Sequence, residues 1–326
     1  MVDVVGVDLG ATRVRVALGS NMGILASLSE LTNRLNGPEE IIKQITRMTR
    51  TLLSRQANTA FPEAIGVASI GPLDLRRGCV VESPNMPIKR IPLTDPLSEQ
   101  FGVPVFLVND CNAAVLGEHV YGEGKGFENL VYVTISTGIG GGAIVDGHLL
   151  IGKDGNAVEI GHMTVDPAGV MKCGCGCLGH WEAYCSGESI PKYAQWLLST
   201  RQPEGVTSSL LLRPVRGDRE KIDTRKVLEA ADRGDQIALW IVEKMGALNS
   251  IGFANLVNVF DPELITVGGS VVLNHSKLIL TAILQNIRNH TINRVPDIKV
   301  TALGDDVVLF GAIAFALDKL NGDKKS

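Results

Sequence analysis

Between Asn156 and Glu182 the chain concentrates three carboxylates, two histidines and three cysteines, although it carries only six histidines and six cysteines in all. Asn-Ala-Val-Glu-Ile-Gly-His runs from 156 to 162, and Cys-Gly-Cys-Gly-Cys-Leu-Gly-His-Trp-Glu from 173 to 182. Thiolates and imidazoles at this spacing, joined by glycines that let the chain fold back, suit a metal knot, since zinc takes four such ligands in a tetrahedron. His162, Cys173 and Cys175 are candidate ligands, and the 177–180 region supplies a fourth, with Cys177 and His180 both present. Glu159 and Glu182 flank the knot, so folding it gathers two acidic groups and shapes a pocket for a polar substrate.

Two further stretches could hold phosphate. Asp8-Leu9-Gly10-Ala11-Thr12 joins two predicted strands. Small residues there allow backbone N–H groups to approach phosphate oxygens, and Thr12 adds a hydroxyl donor. Asp8, at a strand's end, could hold Mg²⁺ through water, because that ion keeps much of its hydration shell. An ordinary hairpin turn would read the same way, but Thr137-Gly138-Ile139-Gly140-Gly141-Gly142 repeats the pattern. Shifted by 126 residues, Asp8–Thr12 falls on Thr134–Gly138, and Ser20-Asn21 falls on Asp146-Gly147. Two related half-domains explain this, each offering one turn to the same nucleotide.

The elements that position these turns follow from hydrophobic periodicity. Strands are predicted at 3–9, 14–18 and 24–28, and a helix opens at Gly37-Pro38 with Ile41, Ile42, Ile45, Met48, Leu52 and Leu53 on one face. Strands at 64–70 and 103–108 precede a helix over about 112–121, which places Asn109 and Asp110 at a strand's carboxyl end, where α/β sheets put their ligands. A strand at 130–135, a glycine turn over 136–142 and a strand from 143 to 145 repeat the opening. Helices are expected at about 188–199, 223–233, 235–257, 276–290 and 306–320, with strands at 263–267 and 298–303 and a loop over 201–218.

At 326 residues the chain is long enough for two domains with cores of their own. Its 45% hydrophobic content and net charge of −4 lack the basic footprint of a nucleic-acid binder. No uninterrupted apolar run approaches a membrane span, and the first residues do not read as a signal peptide, so a cytoplasmic protein without a membrane partner is expected. Three of the six cysteines (Cys79, Cys111, Cys173, Cys175, Cys177, Cys185) lie within five positions, which suits a metal better than a disulfide framework.

Taken together, these residues make the chain resemble the ROK family of sugar kinases and repressors, within the actin-like ATPase superfamily. The resemblance rests on Asp8-Leu9-Gly10-Ala11-Thr12 with Arg15 and Ala17, Asn109-Asp110-Cys111-Asn112-Ala113-Ala114, the turn from Thr137 to Gly142, Glu159-Ile160-Gly161-His162, the cysteine cluster and Gly268-Gly269. It implies an α/β, actin-like (ribonuclease H-like) two-domain fold with duplicated half-domains and an interdomain cleft. The implied small domain spans 1–112 plus about 305–326, and the larger one, with the zinc-binding segment, spans 113–304. ATP binding falls to Gly10, Thr12, Thr137, Gly138 and Gly269, with Asp8 organising Mg²⁺.

Phosphoryl transfer to an alcohol needs a base for the hydroxyl proton and rigid alignment of that oxygen. An Asn-Asp pair before a helix otherwise reads as a turn and N-cap. The resemblance makes Asp110 the general base and Asn109 a sugar contact. Asn85, in Ser83-Pro84-Asn85-Met86-Pro87, matches a family loop near the sugar, although the aromatic residue that often follows is absent. Glu159, His162 and Glu182 would line the sugar pocket. The family's Cys-x-Cys-Gly-x-x-Gly-Cys-x-Glu pattern is matched at Cys173, Cys175, Gly176, Gly179 and Glu182, but its third cysteine is His180. A structural zinc on His162, Cys173, Cys175 and His180 is therefore expected, with Cys177 competing for the fourth place.

The resemblance thus implies a kinase for the 6-hydroxyl of a hexose or N-acetylhexosamine. Glu182–Gly187 and Gly268–Val271 lean toward N-acetylmannosamine, with glucose as the alternative. A sugar-responsive repressor would need a DNA-binding segment before Asp8, and a catalytically dead sugar sensor would need loss of Asp110 or the phosphate turns. A homo-oligomer, dimer or tetramer, is expected from the resemblance alone.

Overall fold

The structure, a computed structural model, describes residues 4–55, 61–83, 86–200, 209–215 and 218–323. Asn85 and residues 201–208, 216 and 217 of the expected loop lie outside the described residues.

The chain opens with β1 (Val4–Leu9), β2 (Arg13–Ser20) and β3 (Gly23–Leu31), then α1 (Pro38–Ser54) and β4 (Ala64–Ser69). Three short strands follow, β5 (Leu73–Asp74), β6 (Cys79–Val81) and β7 (Arg90–Pro92), then α2 (Thr94–Phe101), β8 (Val105–Asn109) and α3 (Asp110–Tyr121). The repeat begins with β9 (Leu130–Ile135), β10 (Ile139–Val145) and β11 (His148–Leu149). Short helix α4 (Glu182–Cys185) precedes α5 (Ile190–Thr200), α6 (Leu212–Val215), α7 (Thr224–Asp232) and α8 (Gln236–Phe260). Finally come β12 (Leu264–Gly268), α9 (Ser270–Leu284), β13 (Asp297–Val300) and α10 (Val307–Asp323).

Two five-stranded sheets share one topology, β3-β2-β1-β4-β8 and β11-β10-β9-β12-β13. β1 and β9 start at Val4 and Leu130 and end at Leu9 and Ile135, the same 126-residue offset that relates the two turns. In the first sheet β2 pairs antiparallel with β1 and β3, while β1, β4 and β8 run parallel.

The chain divides into two compact units, Met1–Tyr132 with Gly142–Val158 and Thr301–Ser326, and Val133–Gly141 with Glu159–Val300. These bounds differ from a break at 112, and the packing of α3 explains why. Gly311 on α10 lies so close to α3 that a Cβ there would come 1.7 Å from the Ala113 carbonyl oxygen, and one at Gly117 would meet the Val307 carbonyl at 2.6 Å. This close approach puts α3 in the same unit as the terminal helix.

In the first unit the strands carry apolar residues on both faces, the pattern of a sheet covered on both sides. Val5, Val7, Leu9, Val14 and Val16 pack with Ile41, Ile45, Met48 and Leu52 of α1, the face that periodicity predicted. Val4, Ala17 and Ala64 pack instead with Leu309, Ile313 and Ala316 of α10. Two differences from expectation stand out in the second unit. β10 starts at Ile139, inside the run read as a turn, and α9 starts at Ser270 rather than near 276. Helix α8 is long and apolar enough to span a membrane by length and composition, but 61% of its most apolar window is buried inside the structure, as in a core helix.

Candidate functional site

In the first unit, Asp8 is the penultimate residue of β1 and lies directly across from Arg15 on β2. Arg15 Nε donates to Asp8 Oδ2 at 2.8 Å, and its guanidinium also reaches Asp306 Oδ1 at 3.5 Å. Burial raises the pKa of Asp8, against the lowering effect of Arg15. Gly10 and Thr12 form the turn to β2, closed by Gly10 N–H donating to the Arg13 carbonyl at 2.9 Å. At the end of β8, Asn109 is the N-cap of α3: its Oδ1 accepts from the N–H groups of Cys111 at 2.9 Å and Asn112 at 3.2 Å. Asp110 is the first helical residue, and its Oδ1 accepts from Cys111 N–H at 2.8 Å. A carboxylate in the first turn is favoured by the helix dipole. Asn156, in the stretch that concentrates the chemistry, has a structural role in this unit, bonding both backbone groups of Leu73 through its side-chain amide.

In the second unit the candidate ligands come together. A hairpin-like loop brings Lys172 opposite Leu178 and Thr164 opposite His180, with Cys173 N–H donating to the Cys177 carbonyl at 2.8 Å. One ligand atom from each of His162, Cys173, Cys175 and His180 lies within 4.8 Å of all the others. Cys173 Sγ is 3.7 Å from His162 Nδ1, and Cys175 Sγ is 3.3 Å from His180 Nδ1. Zinc–sulfur and zinc–nitrogen bonds at a tetrahedral angle require about 3.6 Å between such atoms, so the donor set fits that ion. Burial pushes the Cys173 thiol up to about 11, which disfavours its thiolate unless a cation is beside it. Burial and the neighbouring His162 lower the pKa of His180, favouring the neutral imidazole that ligates metal. Cys177 is exposed and outside this group.

The knot is anchored by a residue that sequence reasoning overlooked. Trp181 is fully buried and donates its indole N–H to Asn249 Oδ1 on α8 at 2.7 Å, edge-on to Phe253. The two neighbours of this anchor are His180 and Glu182, so one packed indole sets both. The cue was an aromatic between two candidate ligands. Tyr184 adds a second tether, its hydroxyl donating to Asp166 and accepting from Met171 N–H just before the cysteines.

His162 presents Nδ1 to the knot and Nε2 toward Glu159, whose Oε2 is 3.9 Å away. Burial raises the pKa of Glu159, and the Glu182 charge adds to that, while His162 opposes it. Glu182 Oε2 accepts from Ile139 N–H at 2.9 Å, directly over Gly138. It therefore ties the knot to the glycine turn. Thr137 accepts from Glu188 N–H through its carbonyl at 3.1 Å, and Gly269, with φ of 87°, caps α9 beside Ile135.

Gly161 completes this contact, because a Cβ there would lie 2.1 Å from the Ile139 carbonyl oxygen. Gly161→Ala is expected to lower stability by about 1–3 kcal/mol, the usual cost of overpacking. Denaturant melts beside the wild-type chain measure it, and an unchanged midpoint would contradict the close approach.

A cavity of about 810 Å³ opens beside the turn, lined by Ser136 and Thr137, by Thr224, Arg225 and Leu228 of α7, and by residues of α9. The unit thus joins a glycine turn, a roomy cavity, a four-ligand knot and an acid–imidazole pair. Such a set can hold a phosphorylated ligand and orient a polyhydroxylated one.

The model of the ROK family matches residues 4–319. A glucokinase from Pyrobaculum calidifontis is 36% identical over 316 residues, covering 97% of this chain and 95% of that protein. Among solved structures, the ROK hexokinase of Thermus thermophilus superposes with a TM-score of 0.83 at 33% identity, covering 98% of this chain and 99% of the other. A ROK family glucokinase from Streptomyces griseus, solved with glucose and AMPPNP, gives 0.79 at 31% identity, covering 97% and 99%. The mixed α/β fold is therefore the actin-like ATPase fold of these kinases, and the chain belongs to the ROK family.

Proposed function

We propose that the protein is an ATP-dependent glucokinase that moves the γ-phosphoryl group of ATP onto the 6-hydroxyl of glucose. The observation that carries this reading is the end-to-end similarity to a glucokinase, 36% identical over 97% of the chain. It also favours glucose over the N-acetylmannosamine toward which the sequence leaned.

The roles follow from what each side chain has to offer. Asp110 takes the proton of the acceptor hydroxyl as its oxygen attacks phosphorus. Asn109 has its Oδ1 committed to the helix cap, so its amide N–H₂ is the group for a sugar oxygen. Asn85 keeps the sugar contact that the resemblance implies. Glu159 and the Nε2 of His162 supply an acceptor and a ring nitrogen to vicinal hydroxyls, and the remaining oxygen of Glu182 supplies another acceptor. Gly10 and Thr12, and Thr137, Gly138 and Gly269, take the phosphates through backbone and hydroxyl donors.

Mg²⁺ fits Asp8, because both Arg15 contacts fall on Oδ2 and leave Oδ1 for a hydrated cation. When bound, the ion neutralises charge on the phosphates. A structural zinc on His162, Cys173, Cys175 and His180 would fix the imidazole of His162 through one nitrogen while the other meets the sugar.

A coupled ADP-release assay with glucose, mannose, N-acetylglucosamine and N-acetylmannosamine tests the substrate. Glucose is expected to give the highest kcat/KM, at least ~10-fold above N-acetylmannosamine, the lower range for discrimination by one substituent. A preference for N-acetylmannosamine would reverse the sugar assignment, and turnover of none would remove it.

A further inference from the structure

The cavity beside the glycine turn has a wall that the roles above leave unused. Arg225 and Leu228 of α7 and Asn274 and His275 of α9 line it together with Ser136 and Thr137. A nucleotide whose phosphates lie at the turn has its base to place against the helical wall. Helix α9 is interrupted there: His275 takes φ −135° and ψ 35° inside an otherwise continuous helix. At the break, Asp232, the last residue of α7, places its Oδ2 2.5 Å from His275 Nδ1. The His275 side chain is only 14% exposed, so the ring is fixed between two helices.

A carboxylate on Nδ1 selects the tautomer that carries its proton there, and the neutral ring is left with Nε2 as an acceptor. An acceptor distinguishes purines at position 6. Adenine presents an amino group that donates, whereas hypoxanthine and guanine present a carbonyl oxygen that cannot. A polar group built for one partner is left unpaired by the other, which is the source of strong discrimination.

We propose that His275, held by Asp232 at the break in α9, selects the purine base, accepting from the 6-amino group of an adenine nucleotide and disfavouring 6-oxo purines. The inference rests on reading this cavity as the ATP site and adds the group that chooses the base. Asp232 is a positioning residue, acting through the imidazole.

Calorimetric Kd values for ADP and inosine diphosphate, which differ in the base at position 6 and in the N1 proton that accompanies the 6-oxo group, test it on the full chain without turnover. The wild-type protein is expected to bind ADP at least ~10-fold more tightly than inosine diphosphate, the scale of one unmet hydrogen bond. His275→Leu should bring that ratio to within about twofold, mainly by weakening ADP, and Asp232→Asn should narrow it, since an amide no longer enforces one tautomer. A wild-type ratio near one, or a ratio unchanged in folded His275→Leu, would overturn the proposal. If His275→Leu does not fold, Asp232→Asn decides on the same criterion, an unchanged ratio overturning it. The kinase reading is separable. Selective ADP binding without sugar phosphorylation would remove the kinase and leave His275 its role, whereas equal use of ATP and inosine triphosphate in sugar phosphorylation would do the reverse.

Discussion

Asp110→Asn is expected to lower kcat for glucose phosphorylation by at least ~10²-fold, the lower end of a general-base contribution. The substitution keeps the shape of the side chain and an oxygen for the Cys111 N–H that Asp110 now accepts. The helix start does not depend on it, because Asn109 is the N-cap of α3. Loss of the charge in the first turn costs the helix about 0.3–1 kcal/mol, far less than the ~2.7 kcal/mol that a hundredfold in rate represents. The stability and rate effects therefore separate: thermal unfolding should barely move while kcat collapses, with KM for ATP within about threefold of wild type. Near-normal turnover by a folded Asp110→Asn protein would take Asp110 out of the proton transfer.

Loss of the proposed zinc is the second large effect expected. Protein purified without added zinc should contain one zinc per chain. Cys173→Ser and His180→Ala should lose it, whereas Cys177→Ala should retain it, because Cys177 lies outside the four converging ligand atoms. The knot positions His180, Glu182 and His162 around the buried Trp181, so its loss frees the loop that reaches the glycine turn. Structural zinc contributes roughly 10–16 kcal/mol of apparent binding free energy in small isolated domains. Here the Trp181 and Tyr184 tethers hold part of the loop without metal, and a cost of ~3 kcal/mol is expected, or about 6–12 °C in thermal midpoint. Zinc retained in His180→Ala but lost in Cys177→Ala would exchange the two residues.

How far the fold could be read from the chain depended on whether local signals were tertiary in origin. β1 and β9 were legible because continuous β-branched runs end at glycine turns, and the 126-residue offset holds in the strands themselves. The apolar face of α1 was legible from its spacing. By contrast, β10 begins within Thr137–Gly142, since glycines there are demanded by neighbours, Gly138 by Glu182 and Gly142 by the Cys111 carbonyl. The start of α9 was misplaced for a related reason: Gly269 caps it, but the break at His275 hides the first turns from any periodic reading. The strands β5–β7 are two or three residues long, too short to carry a period. In the site, residue types and spacing pointed to His162, Cys173 and Cys175 and left Cys177 and His180 open; it is His180 whose ring converges with the other three. The bond from Glu182 to Ile139 and the anchor of Trp181 on Asn249 were not legible, since each joins segments that meet only after folding.

The most direct test of the account is ³¹P NMR of the product formed from ATP and glucose by the wild-type chain and by Asp110→Asn. The wild-type protein is expected to form a glucose phosphate ester at the 6-oxygen together with ADP, and Asp110→Asn almost none over the same time. ATP converted to ADP and inorganic phosphate, with no sugar ester, would contradict it.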